Sequence, residues 1–179
     1  MGFADLHIHS IYSPDSATTV RALLKQAADM KLSVIAVTDH DEIQGSLEAR
    51  SLAPQFGLES IAGAEVTTAD GHILALFIET LPPADKPLIE TLLFIGKQGG
   101  IAIAPHPFNP LPGSLSMEAV LGALAHPIAK GVLKGIETHN MAHAPSTAPC
   151  RNSRSICPWR AAVAATRMCI GPSAARGQS

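Results

Sequence analysis

The stretch Leu32-Ser33-Val34-Ile35-Ala36-Val37-Thr38 decides the fold class. Its apolar and β-branched residues leave no polar face, which is the pattern of a strand covered on both sides. Before it, Val20, Leu23, Leu24, Ala27 and Ala28 recur at helical spacing between Thr19 and Met30, behind Thr18 and Thr19 as candidate N-caps. A short strand, Phe3 to His9, comes before that helix. Strands alternating with helices point to an α/β fold with a mainly parallel sheet or barrel.

The rhythm continues along the chain. Asp41 is placed to cap a helix running to about Ala53, where Pro54 ends it. Two strands are expected, Ser60 to Val66 and Gly71 to Phe77. Pro82-Pro83 breaks the chain, Asp85 is placed to cap a helix through Lys97, and Gly99-Gly100 ends that helix before a strand from Ile101 to Ala104. Four prolines make Pro105 to Gly113 a loop. A helix near Ser116 to Ala125 and a strand near Val132 to Thr138 complete the regular pattern, which stops beyond His143. There is no internal repeat.

The chain has 179 residues, 46% of them hydrophobic, which is enough for one domain with a sizeable core. No apolar run reaches the ~18 residues needed to span a bilayer. Met1-Gly2-Phe3-Ala4-Asp5 lacks the order of a secretion signal, so a soluble, cytoplasmic protein is expected. Residues 1–143 carry eight Lys/Arg against fifteen Asp/Glu, a balance of −7, whereas residues 144–179 carry five Arg and no acid, +5. An acidic body argues against nonspecific nucleic-acid binding, which needs clustered Lys and Arg, and suits metal cations. Cys150, Cys157 and Cys169 all lie in the basic tail at spacings that match no zinc or CxxC pattern, and are read as free thiols.

His7 and His9 are two apart on a strand, so both imidazoles project from one face near its C-terminal end, where parallel α/β folds build their sites. An HxH pair alone is weak. Asp15 follows in the turn Ser13-Pro14-Asp15-Ser16, His40 ends the second strand, Glu65 ends the third, His72 begins the next, and His106 directly follows Ile101 to Ala104. Each taken singly reads as an ordinary turn, cap or surface residue. Their common placement at strand ends makes an N/O donor set suited to zinc, manganese or iron, without thiolate. Glu65 is the natural bridge, because one carboxylate can bind two cations and reduce their repulsion.

The series His7-Ile8-His9-Ser10, Ser13-Pro14-Asp15, Val37-Thr38-Asp39-His40-Asp41, Gly63-Ala64-Glu65, Gly71-His72 and Ala104-Pro105-His106-Pro107 resembles the polymerase and histidinol phosphatase (PHP) family of metal-dependent phosphoesterases over about residues 3 to 140. The resemblance implies a distorted (β/α)7 barrel holding two or three divalent ions (Mn, Zn or Fe, with Mg an option). His7, His9, Asp15, His40, Glu65, His72 and His106 would be ligands, and His7, His9, His40, Glu65 and His106 would form the catalytic set. Asp39 would orient a neighbouring ligand. Two cations ~3.5–4 Å apart can activate a hydroxide and stabilise the leaving oxygen, so the implied reaction is in-line hydrolysis of a phosphate ester by metal-bound hydroxide. The implied substrate is a small phosphomonoester, a nucleotide or an oligonucleotide end. The sequence does not identify which basic residues would hold its phosphate.

The end of the chain departs from the family. A late strand carrying Gly-Ser-Asp-x-His would supply two more ligands, and no Asp-x-His occurs after residue 140. Residues 1–143 are therefore read as an incomplete PHP-type domain lacking the C-terminal strand and helix, and 144–179 as an atypical, disordered tail. The break in composition suggests a shifted reading frame. Re-read across codon boundaries, Thr166-Arg167-Met168-Cys169-Ile170 permits Ser-Asp-Val-His, and Ile156-Cys157-Pro158-Trp159-Arg160 permits Leu-Pro-Val-Ala. His126, His139 and His143 are poor replacement ligands, since His126 falls at a helix end and the other two lie in no strand-end pair. Glu137 and Asn140 are given structural roles.

Two other readings remain open. A noncatalytic metal-binding or accessory PHP domain would bind metal without turnover. An amidohydrolase barrel also opens with HxH, but the Thr-Asp-His motif about thirty residues on and Gly63-Ala64-Glu65 fit PHP better.

Overall fold

A computed structural model describes residues 2–108 and 112–137. The tail expectations, and those for His139, Asn140 and His143, fall outside the described residues. The elements are β1 (Phe3–Ile8), α1 (Val20–Asp29), β2 (Leu32–Val37), α2 (Gln44–Leu52), a 3-10 turn (Ala53–Phe56) and β3 (Glu59–Ser60). They are followed by β4 (Gly63–Thr68), β5 (Gly71–Leu76), α3 (Leu88–Lys97), β6 (Ile101–Ala104), α4 (Met117–Ala125), α5 (Ala129–Val132) and β7 (Leu133–Ile136). Among the described residues, no helix is long and apolar enough to cross a membrane.

The fold is α/β, with strand orders β1-β2-β3 and β4-β5-β6-β7. The first sheet is parallel. In the second, β5 runs against both β4 and β6 while β7 is parallel to β6, so the expected mainly parallel arrangement is interrupted at one strand. Glu59 and Ser60 follow β2 at Val34 and Ile35, after which the chain turns outward and rejoins the same edge further along. There His40 pairs with Glu65, the Glu65 N–H donates to the Asp39 carbonyl at 3.1 Å, and the Asp41 N–H donates to the Glu65 carbonyl at 2.9 Å. The two sheets thus form one curved wall with β1 and β7 as its edges. Neither edge pairs further among the described residues, which matches an unclosed barrel.

Helices cover the outside. Val20, Leu23, Leu24 and Ala27 of α1 pack with Ala49 of α2 against Ile35 and Val37, while Leu88, Leu92 and Ile95 of α3 pack with Val120 and Ala123 of α4 behind Ile73, Ala75 and Ala102. Strand alternation puts Gly63, Glu65 and Thr67 on the same inward face as their cross-strand partners Leu76, Leu74 and His72. The inward face is therefore apolar at its base, where Leu74 and Leu76 meet Ala36 and Ile103, and polar at its mouth.

Two expected caps are used differently. Asp41, at φ +49, accepts the Thr67 N–H at 2.7 Å and so pins the seam between sheets; Glu42 Oε1 meets the N–H groups of Ile43 and Gln44 at the start of α2 instead. The Asp85 N–H donates to Thr67 O beside β4, and the α3 start is met by Asp70, which accepts the Leu88 N–H at 2.8 Å. Thr19 and Ser116 do cap α1 and α4.

Candidate metal centre

The mouth of the wall gathers the sequence-selected residues around one carboxylate. Glu65, 1% exposed, has Oε2 at 3.0 Å from His7 Nε2 and 2.9 Å from His9 Nε2, and Oε1 at 3.2 Å from His72 Nδ1 and 3.1 Å from His106 Nε2. His40 Nε2 stands 3.7 Å from Oε2. The five imidazoles form a closed ring, in the order 7, 9, 40, 72, 106, with neighbouring centroids 4.7 to 5.9 Å apart. Glu65 lies within β4 rather than at its end.

Among the described residues, two groups have potential ligand atoms within 4.8 Å of one another: His7, Glu65 and His106, and His9, His40 and Glu65. Glu65 belongs to both. Asp15 and His72 adjoin these groups; Asp15 Oδ2 lies 2.8 Å from His9 Nδ1 and 3.8 Å from His40 Nε2. Asp39 sits one step out, where its carboxylate accepts both the N–H and the O–H of Ser10, the residue after His9. His126 is not at the centre. It ends α4, and its Nδ1 accepts the N–H groups of Ile128 and Ala129.

The outer nitrogens also have partners. His7 Nδ1 is 3.1 Å from Glu137 Oε1, and His106 Nδ1 is 3.1 Å from Ser114 Oγ. An acceptor at Nδ1 leaves Nε2 to face the centre, the orientation that metal-ligating histidines need. Glu137 also accepts the His106 backbone N–H at 2.8 Å, so this buried residue fixes two ring members at once. The structural role expected for Glu137 is thus a supporting role at the centre itself. Asp5 was not singled out from sequence, although Asp5, His7 and His9 alternate along β1. Asp5 Oδ1 accepts the His7 N–H at 3.2 Å, and its buried Oδ2 has no partner.

The electrostatics follow from this packing. Burial disfavours charge on Glu65, yet His106, His7, His72 and His9 outweigh it and hold the carboxyl well below its ordinary range. Burial likewise opposes charge on His7, but contacts with Glu137 and Glu65 push its imidazole up to about 10. His9 is also raised, with Glu65 overcoming burial, whereas burial lowers His40. Asp15 is lowered because Ser13 and His9 overcome its partial burial. Burial pushes Asp5 up to about 7.

A carboxylate this deep costs several kcal/mol unless compensated. The compensation comes from imidazoles crowded against one another, which is unfavourable if several are charged. Neutral imidazoles around divalent cations would relieve both conditions, so the N/O donor set fits borderline divalent metals in chemistry and in spacing.

The PHP domain family description matches residues 5–127. An uncharacterized protein of Methanocaldococcus jannaschii is 38% identical over 151 residues, covering 78% of this chain and 82% of its own. A phosphoribosyl 1,2-cyclic phosphate 1,2-diphosphodiesterase of Eggerthella lenta is 37% identical over 86 residues, 45% of this chain, and this chain spans only 32% of its length. A crystal structure from Bacteroides vulgatus, described as a two-domain protein containing a predicted PHP-like metal-dependent phosphoesterase, superposes with a TM-score of 0.62 at 23% identity. That superposition covers 75% of this chain and 43% of the other, and shows a shared fold.

Proposed function

We propose, from the premise that this chain belongs to the PHP domain family, that it is a metal-dependent phosphoesterase. The observation that carries the proposal is Glu65, one buried carboxylate shared by two three-residue ligand groups. In this reading His7, Glu65 and His106 hold one divalent ion and His9, His40 and Glu65 a second, with Asp15 and His72 completing the set. The ions would supply Lewis acidity and an activated water at the reacting phosphorus. Glu137 and Ser114 orient His7 and His106, Asp39 fixes the backbone beside His9, and the apolar floor of Leu74, Leu76 and Ile103 keeps water from beneath the ligands.

The substrate proposed is a phosphate ester: a small phosphomonoester, a nucleotide or an oligonucleotide end. The named relative acting on a phosphoribosyl cyclic phosphate supports the class and not the individual compound. We further propose that residues 144–179 derive from a shifted frame, a reading that an intact genomic frame with no Ser-Asp-x-His alternative would refute.

The test is metal-depleted protein reloaded with Mn or Zn, assayed on an aryl phosphate beside elemental analysis. Metal-dependent turnover supports the proposal. Bound metal without turnover, persisting after the frame is repaired, assigns the accessory role instead, and absence of bound metal overturns both.

A further inference from the structure

Gly113 and Ser114, between β6 and α4, lie against the candidate ligands His72 and His106. The Gly113 carbonyl accepts the His72 N–H at 2.7 Å, and the Phe108 N–H donates to the Leu115 carbonyl at 3.0 Å. Beside it, Ser114 Oγ meets His106 Nδ1. Gly113 has φ +86, and a Cβ built on it would lie 2.5 Å from His72 Cε1 and 2.8 Å from both Nδ1 and Nε2. Three ring atoms at that range mean that the Gly113 backbone lies against the imidazole itself. His40 adjoins the same ring at a centroid distance of 4.9 Å, with the two planes at 67°. The His72 imidazole thus packs against the Gly113 backbone, with Nδ1 3.2 Å from Glu65 Oε1.

We propose that Gly113 is a positioning residue for His72, and that any side chain at 113 displaces this imidazole from the Glu65 ring. The inference rests on the reading of the centre as a metal site, but its cause is steric and operates without metal. Gly57 supplies the control. It has φ +71 with open space around its Cβ position, so Gly57→Ala carries a comparable backbone penalty with no ring to displace.

Two readouts test the proposal on the full chain. Histidine-selective NMR of metal-free protein should show the His72 imidazole resonances shifted in Gly113→Ala and unmoved in Gly57→Ala. Titration with Mn or Zn should show Gly113→Ala losing ~10–100-fold in affinity for an ion, the usual effect of disturbing the support of a ligand. Gly57→Ala should bind as the parent does, and adding His72→Ala to Gly113→Ala should cost little more, since the two act on one group. If Gly113→Ala alone does not fold, Gly113→Ala with His72→Ala should fold, less stable than His72→Ala only by the backbone penalty that Gly57→Ala shows, because the obstructing ring is gone. Unmoved His72 resonances, equal effects of the two glycine variants, or no rescue by His72→Ala would overturn the proposal. A parent protein that binds no metal but shows the resonance shift would sink the metal reading and leave the positioning role intact.

Discussion

His7 Nδ1 and Glu137 Oε1 lie 3.1 Å apart although 130 residues separate them in sequence. The contact joins the first strand to the end of the seventh across the gap in the wall, and it is buried on both sides. Glu137→Gln keeps the shape and removes the charge. Metal affinity, measured against a competing chelator, should fall ~10–100-fold, as when other outer partners of ligating histidines are lost. Unchanged affinity would remove Glu137 from the supporting role.

The sharing of Glu65 predicts different stoichiometries for two variants. His40→Ala touches one three-residue group and should lower bound metal by one ion per chain without unfolding the protein. Glu65→Ala touches both and should abolish tight binding. Elemental analysis after gel filtration distinguishes them, and a full complement of ions in His40→Ala would contradict the assignment.

Stability of the metal-free protein should fall as pH rises from 7 to 10. The His7 imidazole is raised from 6.5 to about 10, so the stability its charged form contributes is complete below about 6.5 and is lost as pH climbs through the folded value. Asp5, raised from 3.8 to about 7, acts with the same sign at lower pH. Glu65 acts oppositely, but its contribution is already complete above 4.5. Thermal melts of chelator-treated protein across this range check the sign; a Tm that rises with pH would contradict a charged His7 held by Glu137 and Glu65.

Leu74 is fully buried on the inward face opposite Glu65. Leu74→Ala should cost about 2–5 kcal/mol by urea denaturation, the range for a core leucine whose cavity does not collapse. A cost below about 1 kcal/mol would mean that the base of the wall is loosely packed.

Local pattern made much of this legible. Ile101–Ala104 is found where four apolar residues between glycines and prolines put it, and α1 where the spacing from Val20 to Ala28 puts it. Most of the candidate ligand residues were readable because they sit at or near a strand end, as His9, His40, His72 and His106 do; Glu65 instead lies inside β4. Alternation is the same in both senses and does not give strand direction; the mark of the β4–β5 reversal is the two-residue turn Ala69-Asp70 before Gly71, too short a connection for anything but antiparallel pairing. The expected strand from Ser60 to Val66 divides at Ile61, because its ends meet different stretches of the β2 edge. Asp41 and Asp85 look like caps in isolation, but tertiary hydrogen bonding with Thr67 governs their backbone or side-chain placement. The support Glu137 gives to His7 and His106 has no local signal; it appears only once the end of β7 reaches His7 across the gap between the edges.

The backbone bridge from His40 to Glu65 is both the join between the two sheets and the middle of the ligand ring. Breathing that spreads the halves of the wall pulls those two side chains apart, so ions bound by them would tie their own occupancy to the spread of the halves. Cations held there would act as rivets, and stripping them would loosen distant strands that contain no ligand.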